Sequence, residues 1–317
     1  LRHLYFNNDG LQAEAVTALT ELIMANYGGM GSTSELRTFE IGHNCLEDAG
    51  FLSLLPILAA SPHLERLRIA TTRARNYKGE GFKLVNQLLH LRKLYSLELN
   101  DNNLGAESGP VLAQVIRNNP SLKSLNLSDI GVEEDGIRAV LKAVAKMPTN
   151  TLELLDLSAN EITGEGKFMK YLCRAIERQS ESLKHIKLED NELKSKGGKK
   201  LLQVLAKCPN LTYLNFNNTY LGASVASDLI DFLRSHPSLK EIHLNGNHFT
   251  SEQLEEIKSA VHEKDALQTM SDNDEEDEDE DEESEEEEAS SEEEVEEKPD
   301  AEVDELTKGV AAASVAK

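Results

Sequence analysis

The sequence predicts an α/β solenoid, a horseshoe of stacked coils with parallel strands inside and helices outside, followed by a disordered acidic tail. Two observations predict it. The pattern Leu-x-x-Leu-x-Leu-x-x-Asn-x-Leu recurs nine times at intervals near thirty residues. Beyond Met270 the composition changes abruptly to one dominated by aspartate and glutamate.

Counted from the first leucine of each copy, the units start at Leu1, Leu36, Leu64, Leu94, Leu122, Leu152, Leu183, Leu211 and Leu239. By subtraction the successive spacings are 35, 28, 30, 28, 30, 31, 28 and 28 residues. The unit at Leu94 shows the logic of each element. Leu97 and Leu99 alternate with polar residues, as a half-buried strand requires. A tight turn follows, in which the Asn102 side chain can bond exposed backbone of the stacked coils. Gly105 through Asn118 then reads as a helix, because Val111, Leu112, Val115 and Ile116 recur at helical spacing. Pro110 falls in its first turn, where the missing N–H costs nothing. Asn119-Pro120 ends it, since a residue before proline avoids helical angles. One unit cannot bury its own leucines, whereas stacked units share a continuous core. This is the leucine-rich repeat in its long, helix-bearing, ribonuclease-inhibitor-like form.

Residues 1–270 are therefore expected to form one elongated domain of about nine repeats, and residues 271–317 an acidic low-complexity tail. The chain opens on Leu1, inside a repeat and without a methionine, so an N-terminal capping piece is expected to precede it. Between Ser271 and Asp300 there are 21 acids and one lysine, Lys298, a net of −20 out of −24 for the whole chain. The repeats before it hold 33 acids and 30 bases, a balance of only −3. With so little apolar surface to bury, the tail cannot offset its chain entropy. It reads as a solubilising brush or as a handle for a basic partner. Cys45, Cys173 and Cys208 are scattered, without paired or metal-binding spacing, which fits a reducing compartment. No signal peptide opens the chain and no run of eighteen apolar residues occurs, so no membrane span is expected.

No self-contained active site is visible. A phosphate loop, a nucleophile motif and a metal-binding cluster are all missing from the pattern. The histidines read as chance scatter, with His3, His185 and His243 on strands of different units. The concave face says more. Glu40, Arg68, Glu98, Asn126, Asp156, Lys187, Asn215 and His243 occupy one equivalent strand position. A neighbouring turn position carries His43, Thr71, Asp101, Asp129 and Asp190, with Asn102 next to it. Such a surface is expected to bind protein. The acidic bias around Glu98, Asp101 and Asp129 favours a basic protein over nucleic acid, whose phosphates would be repelled.

The third unit departs from the rule. Thr72 stands where Asn44 and Asn102 stand in its neighbours, and Arg73-Ala74-Arg75-Asn76-Tyr77-Lys78-Gly79 follows, a long cationic loop on an otherwise acidic rim. One reading is a set of solvated arginines paired with nearby acids. The other is an arginine offered to a GTPase from outside. A guanidinium is permanently charged and forked, so it can neutralise charge developing on a transferring phosphoryl group.

These features, together with Leu4-Tyr5-Phe6-Asn7-Asn8-Asp9, Ser61-Pro62-His63-Leu64-Glu65 and Thr71-Thr72-Arg73, are similar to those of a known family. Over nearly all its length the chain resembles the GTPase-activating proteins of the small GTPase Ran, above all their plant-type members. The resemblance implies a scaffold that binds GTP-bound Ran and speeds hydrolysis in the GTPase's own site, maintaining the direction of nucleocytoplasmic transport. It implies no substrate-turnover site and no cofactor, because GTP and magnesium belong to the GTPase. Members carry an arginine in this loop as Arg-x-Arg or Arg-x-Lys, a spacing that Arg73-Ala74-Arg75 matches, so Arg73 would act and Arg75 would be the second basic position. Counted back from the helix at Leu84, the loop is longer than in plant-type relatives, which favours Arg75; both stay candidates. Fungal members use an asparagine in a later turn, where this chain has Ser128-Asp129-Ile130-Gly131. Asp129 accepts hydrogen bonds there but donates none while ionised. Glu40, Arg68, Lys78, Glu98, Asp101, Asn102, Asp156 and Asp190 are the expected partner-binding residues. A monomer is expected, in the cytoplasm or at the nuclear envelope. The competing reading is a non-catalytic acidic repeat protein that binds histones or other basic proteins as a chaperone or adaptor.

Overall fold

The protein was analysed as a computed structural model, which describes residues 1–28, 33–262, 267–271 and 273. The acidic run from residue 274 onward, where the tail was expected, lies outside the described residues.

Among the described residues, ten strands form a single sheet in sequence order, every neighbouring pair parallel. They are β1 (His3–Tyr5), β2 (Thr38–Glu40), β3 (Arg66–Arg68), β4 (Ser96–Glu98), β5 (Ser124–Asn126), β6 (Leu154–Asp156), β7 (His185–Lys187), β8 (Tyr213–Asn215), β9 (Glu241–His243) and β10 (Leu267–Thr269). Helices follow the strands: α1 (Ala13–Asn26), α2 (Glu47–Ser53), α3 (Leu55–Ala59), α4 (Glu80–Gln87), α5 (Ser108–Asn118), α6 (Glu133–Ala145), α7 (Gly166–Arg178), α8 (Lys194–Leu205), α9 (Ala226–Ser235) and α10 (Ser251–His262). This is the expected leucine-rich-repeat solenoid.

The middle residue of each strand from β2 to β9 faces the core. Phe39, Leu67, Leu97, Leu125, Leu155, Ile186, Leu214 and Ile242 are buried and stand in direct register with one another. Burying each such side chain contributes about 1.5–3 kcal/mol. The helices close the other side; α5 turns Leu112, Val115 and Ile116 inward. All three cysteines are free, and burial pushes the Cys208 thiol up to about 12.

A three-residue strand satisfies few backbone groups, and the repeat asparagine supplies the rest. Asn191 donates to the carbonyls of Leu157, Leu188 and Glu189 at 3.2, 2.8 and 3.1 Å. Its Oδ1 accepts the amides of Asn160 and Ile162 at 3.2 and 2.9 Å. Asn44, Asn102, Asn160 and Asn247 bond in the same fashion, so a ladder of buried amides runs along the solenoid. The residue before each rung is left-handed: His43, Thr71, Asp101, Asp129, Asp190 and Asn218 have φ between 48° and 54°. Asn, Asp and His tolerate that region best among residues with a side chain, which accounts for most of the column's composition.

Two expectations change. α5 begins at Ser108 rather than Gly105, because Gly105 sits at φ 79° in the turn before it. Among the described residues the sheet has ten strands, one beyond the nine leucine-marked copies. β10 pairs with β9, and Asn273 acts as its rung, donating to the Leu244 and Met270 carbonyls at 3.2 and 3.3 Å. Asp265 stands where this last copy would have its first leucine, so the leucine count stops short of it.

Asn191→Ala should lower stability by roughly 3 kcal/mol, because it leaves several buried backbone groups without partners. A urea midpoint unchanged from the parent protein would contradict the ladder's role.

Candidate functional site

The cationic loop leaves β3 through Thr71 and Thr72. Thr72 fills the rung position and is buried; its Oγ1 donates to Asn102 Oδ1 at 2.5 Å and its amide to the same oxygen at 3.2 Å. A threonine has no side-chain amide to give to the strand carbonyls, but Thr219 fills the same position in the eighth unit with the same bonds to Asn247, so the long loop after Thr72 is not set by the threonine alone. Arg73 is left-handed at φ 63°, and Ala74 turns inward to the core.

The rest of the loop is pinned by side chains around it. Asp48, in the first turn of α2, takes the amides of Arg75 and Asn76 on one carboxylate oxygen at 2.7 and 3.0 Å. Asn76 Oδ1 accepts the Gly81 amide at 2.9 Å, and the buried Glu80 accepts the Lys78 amide at 2.6 Å. Gly81 is obligatory, because a Cβ there would collide with the backbone of Leu104 in the next coil. Arg73, Arg75, Tyr77 and Lys78 consequently project outward, all exposed.

The two arginines differ. Arg75 donates to the Tyr77 hydroxyl at 3.1 Å, a bond that also raises its pKa further. Among the described residues, Arg73 has no hydrogen-bond or ion-pair partner.

The turn column continues from the loop. Thr71 donates to Asp101 at 2.7 Å, as does Asn100 at 3.0 Å. Partial burial and then the charge of Asp101 raise the pKa of Asp129, which shifts it towards the protonated form that can donate. Farther along, Asp190 accepts from Asn218 at 2.7 Å.

On the strand face the expected acidic bias is reduced by pairing. Glu40 is buried, accepts from Asn7 at 2.8 Å and pairs with Arg66 at 2.7 Å. Arg66 and Arg68 both reach Glu98, at 3.2 and 3.4 Å, and Arg68 also meets the His43 ring at 3.1 Å. Asp101 and Asp129 are the acids of the turn column nearest the loop. Arg66 was missed in the sequence because it stands two residues before the column that drew attention, on the same face of β3.

Asn102 corrects an expectation. It was placed among the partner-binding residues, but it is a buried ladder rung whose amide donates to Ile69, Leu99 and Asn100 carbonyls. The reading of the histidines also changes. His185 and His243 both pack on Tyr213, with ring centroids 5.7 and 5.1 Å away, and Lys187 lies over the same ring at 5.6 Å. Parallel register brings residues from three units together, a juxtaposition that spacing along the chain hides. Asp156 lies beside this group. Burial raises its pKa, against the bonds that it accepts from Ser158 at 3.2 and 2.8 Å.

Among the described residues no group of His, Cys, Asp and Glu could hold a metal ion, and no helix is long and apolar enough to cross a membrane. A parallel sheet with an interlocked charged face and a stiffened rim loop defines a leucine-rich-repeat interaction scaffold of the ribonuclease-inhibitor-like kind. The chain belongs to the MHP1/HER1/GIP3 LRR domain family, whose profile matches residues 29–274.

Individual relatives are more distant. The ribonuclease inhibitor of Mus musculus is 30% identical over 177 residues, covering 55% of this chain and 38% of the relative. That of Sus scrofa is 24% identical over 250 residues, covering 77% and 53%. The RAN GTPase-activating protein 2 of Arabidopsis thaliana is 30% identical over 149 residues, covering 46% and 27%. The chain thus spans from about a quarter to about half of the length of these relatives.

Asp156→Asn should stabilise the fold at neutral pH. Asn126 and Asn215 accept the amide two residues on in the same way, at 3.1 and 2.9 Å, so asparagine fits the position. The raised pKa of Asp156 means that the folded chain holds the proton more tightly than the unfolded one. The parent therefore loses stability as pH rises from the unfolded value through the folded one. The advantage of Asn should shrink as the pH is lowered across that window, and an advantage independent of pH in chemical denaturation would contradict this account.

Proposed function

We propose that this protein activates a small GTPase, namely Ran in its GTP form, by docking the loop side of the repeats on it and speeding hydrolysis in the GTPase's own site. GTP and magnesium belong to that partner. The observation that carries the reading is the Arg73 guanidinium, exposed and unpartnered among the described residues, on a loop whose backbone is fixed around it. A charge held in this way costs little to deliver to a nucleotide pocket. The similarity to the Arabidopsis RAN GTPase-activating protein 2 supports the choice of GTPase. Arg75, tied to Tyr77, is the assisting cation, and Asp101 and Asp129 offer a polar edge for the partner's surface.

A second reading rests on one observation, the net of −20 between Ser271 and Asp300. Charge of that density attracts basic proteins such as histones, and binding would be strongly salt-dependent. The two readings separate on truncation after Glu276. An activator keeps its effect on Ran, whereas a basic-protein chaperone loses its partner.

Single-turnover hydrolysis by Ran loaded with GTP is the direct test. The intact protein should accelerate it. Arg73→Ala should cost on the order of 10³-fold in the stimulated rate, the scale of supplied arginines in other GTPases, and Arg75→Ala much less. No acceleration by the parent protein would end this reading, and a larger loss at Arg75 would reverse the assignment of the two side chains.

A further inference from the structure

The loop is held by a group outside it that charge alone would not single out. Asp48 lies one repeat earlier, yet its carboxylate faces three consecutive loop amides. Oδ1 accepts from Arg75 at 2.7 Å and Asn76 at 3.0 Å, and Oδ2 faces the Tyr77 amide at 3.5 Å. Consecutive amides converging in this way form a nest for an anion. Here a side chain of the preceding coil fills it, with charge-assisted bonds stronger than neutral ones.

The consequence falls on Arg73. Ordering a free backbone residue costs conformational entropy, so an unbraced loop would present its arginine in many positions. Ala74 is anchored in the core and its carbonyl accepts the Asn103 amide at 3.2 Å, while Asp48 holds the segment just after it. Arg73 therefore stands between Thr72 on the ladder and the 74–77 segment, whose far end Asp48 holds. Tyr77 takes up the neighbouring guanidinium of Arg75.

We propose that Asp48 is the positioning residue of this site: its carboxylate fixes the 75–77 backbone and so sets where the Arg73 guanidinium is offered. The proposal rests on the GTPase-activating reading for its consequence in turnover, but not for the brace itself. Asp48 touches no reacting group and acts only through the loop.

Two variants and two readouts test it. Asp48→Ala removes both acceptor oxygens, whereas Asp48→Asn keeps one that can take the Arg75 and Asn76 amides. The first readout is brief tryptic digestion of the full chain, with cleavage after Arg73, Arg75 and Lys78 followed by mass spectrometry. Asp48→Ala should be cut several-fold faster at these bonds with an unchanged global unfolding midpoint, and Asp48→Asn should stay near the parent rate. The second is stimulated GTP hydrolysis by Ran as a function of repeat-protein concentration. Asp48→Ala should lower the maximal rate about ten-fold with a much smaller change in the half-saturating concentration, and Asp48→Asn should recover most of it. Unchanged cutting in Asp48→Ala overturns the proposal whatever the GTPase does. Faster cutting with full stimulation overturns it as well, because the brace would then have no bearing on the arginine. If the parent protein does not stimulate Ran, the functional reading fails and the cutting rates alone judge the brace.

Discussion

The buried asparagine amide is the interaction on which the rest of this structure depends. Each coil makes only a three-residue strand, and its turn would bury carbonyls and amides that no strand partner reaches. A side chain with two donors and an acceptor, placed at the same point of most coils, binds its own turn and the neighbouring one together, and Thr72, Ile130 and Thr219 take that point in three others. Asn102 and Asn191 do this with backbone on both sides. The leucine core supplies most of the burial energy, but the ladder fixes the register in which one coil meets the next. That register is what places every side chain on the strand face.

The cationic loop follows one of the rungs that is not an asparagine. Thr72 keeps the bond to Asn102 but has no amide nitrogen to donate. The chain beyond it bulges, and the cost is offset locally by Asp48, Asn76, Glu80 and the close approach of Gly81 to Leu104. Order in the backbone thus coexists with exposure of the side chains. The strand face behaves differently. Arg66 and Arg68 are engaged by Glu40 and Glu98, so much of its charge is satisfied within the protein before any partner arrives. Partner recognition through that face would need to displace those pairs, whereas the rim loop needs no such exchange.

The repeat architecture was legible because leucine periodicity and core burial are the same fact seen twice: Leu97, Leu125 and Leu155 recur in sequence and stand in line in the sheet. The tenth strand was not legible, since its copy keeps the asparagine, Asn273, and lacks the opening leucine. Position along a repeat revealed the loop and its arginines, but not which arginine is free. That distinction depends on Tyr77 reaching Arg75. Asp48 and the Tyr213 cluster escaped for a common reason. Their partners are 25 or more residues away in sequence and meet only through stacking. Asn102 shows the reverse error, a polar residue in a surface-like column that turns out to serve the backbone.

The central claim is that a braced loop in the third unit, together with the turns beside it, is the face that meets the GTPase. Amide hydrogen exchange of the repeat protein, with and without GTP-loaded Ran, measures that face directly. Protection on residues 71–78 and on the turns at Asp101 and Asp129, absent with GDP-loaded Ran, is the result this account predicts. Protection confined to the helices or to the segment after Ser271, with the loop exchanging as it does alone, would contradict it.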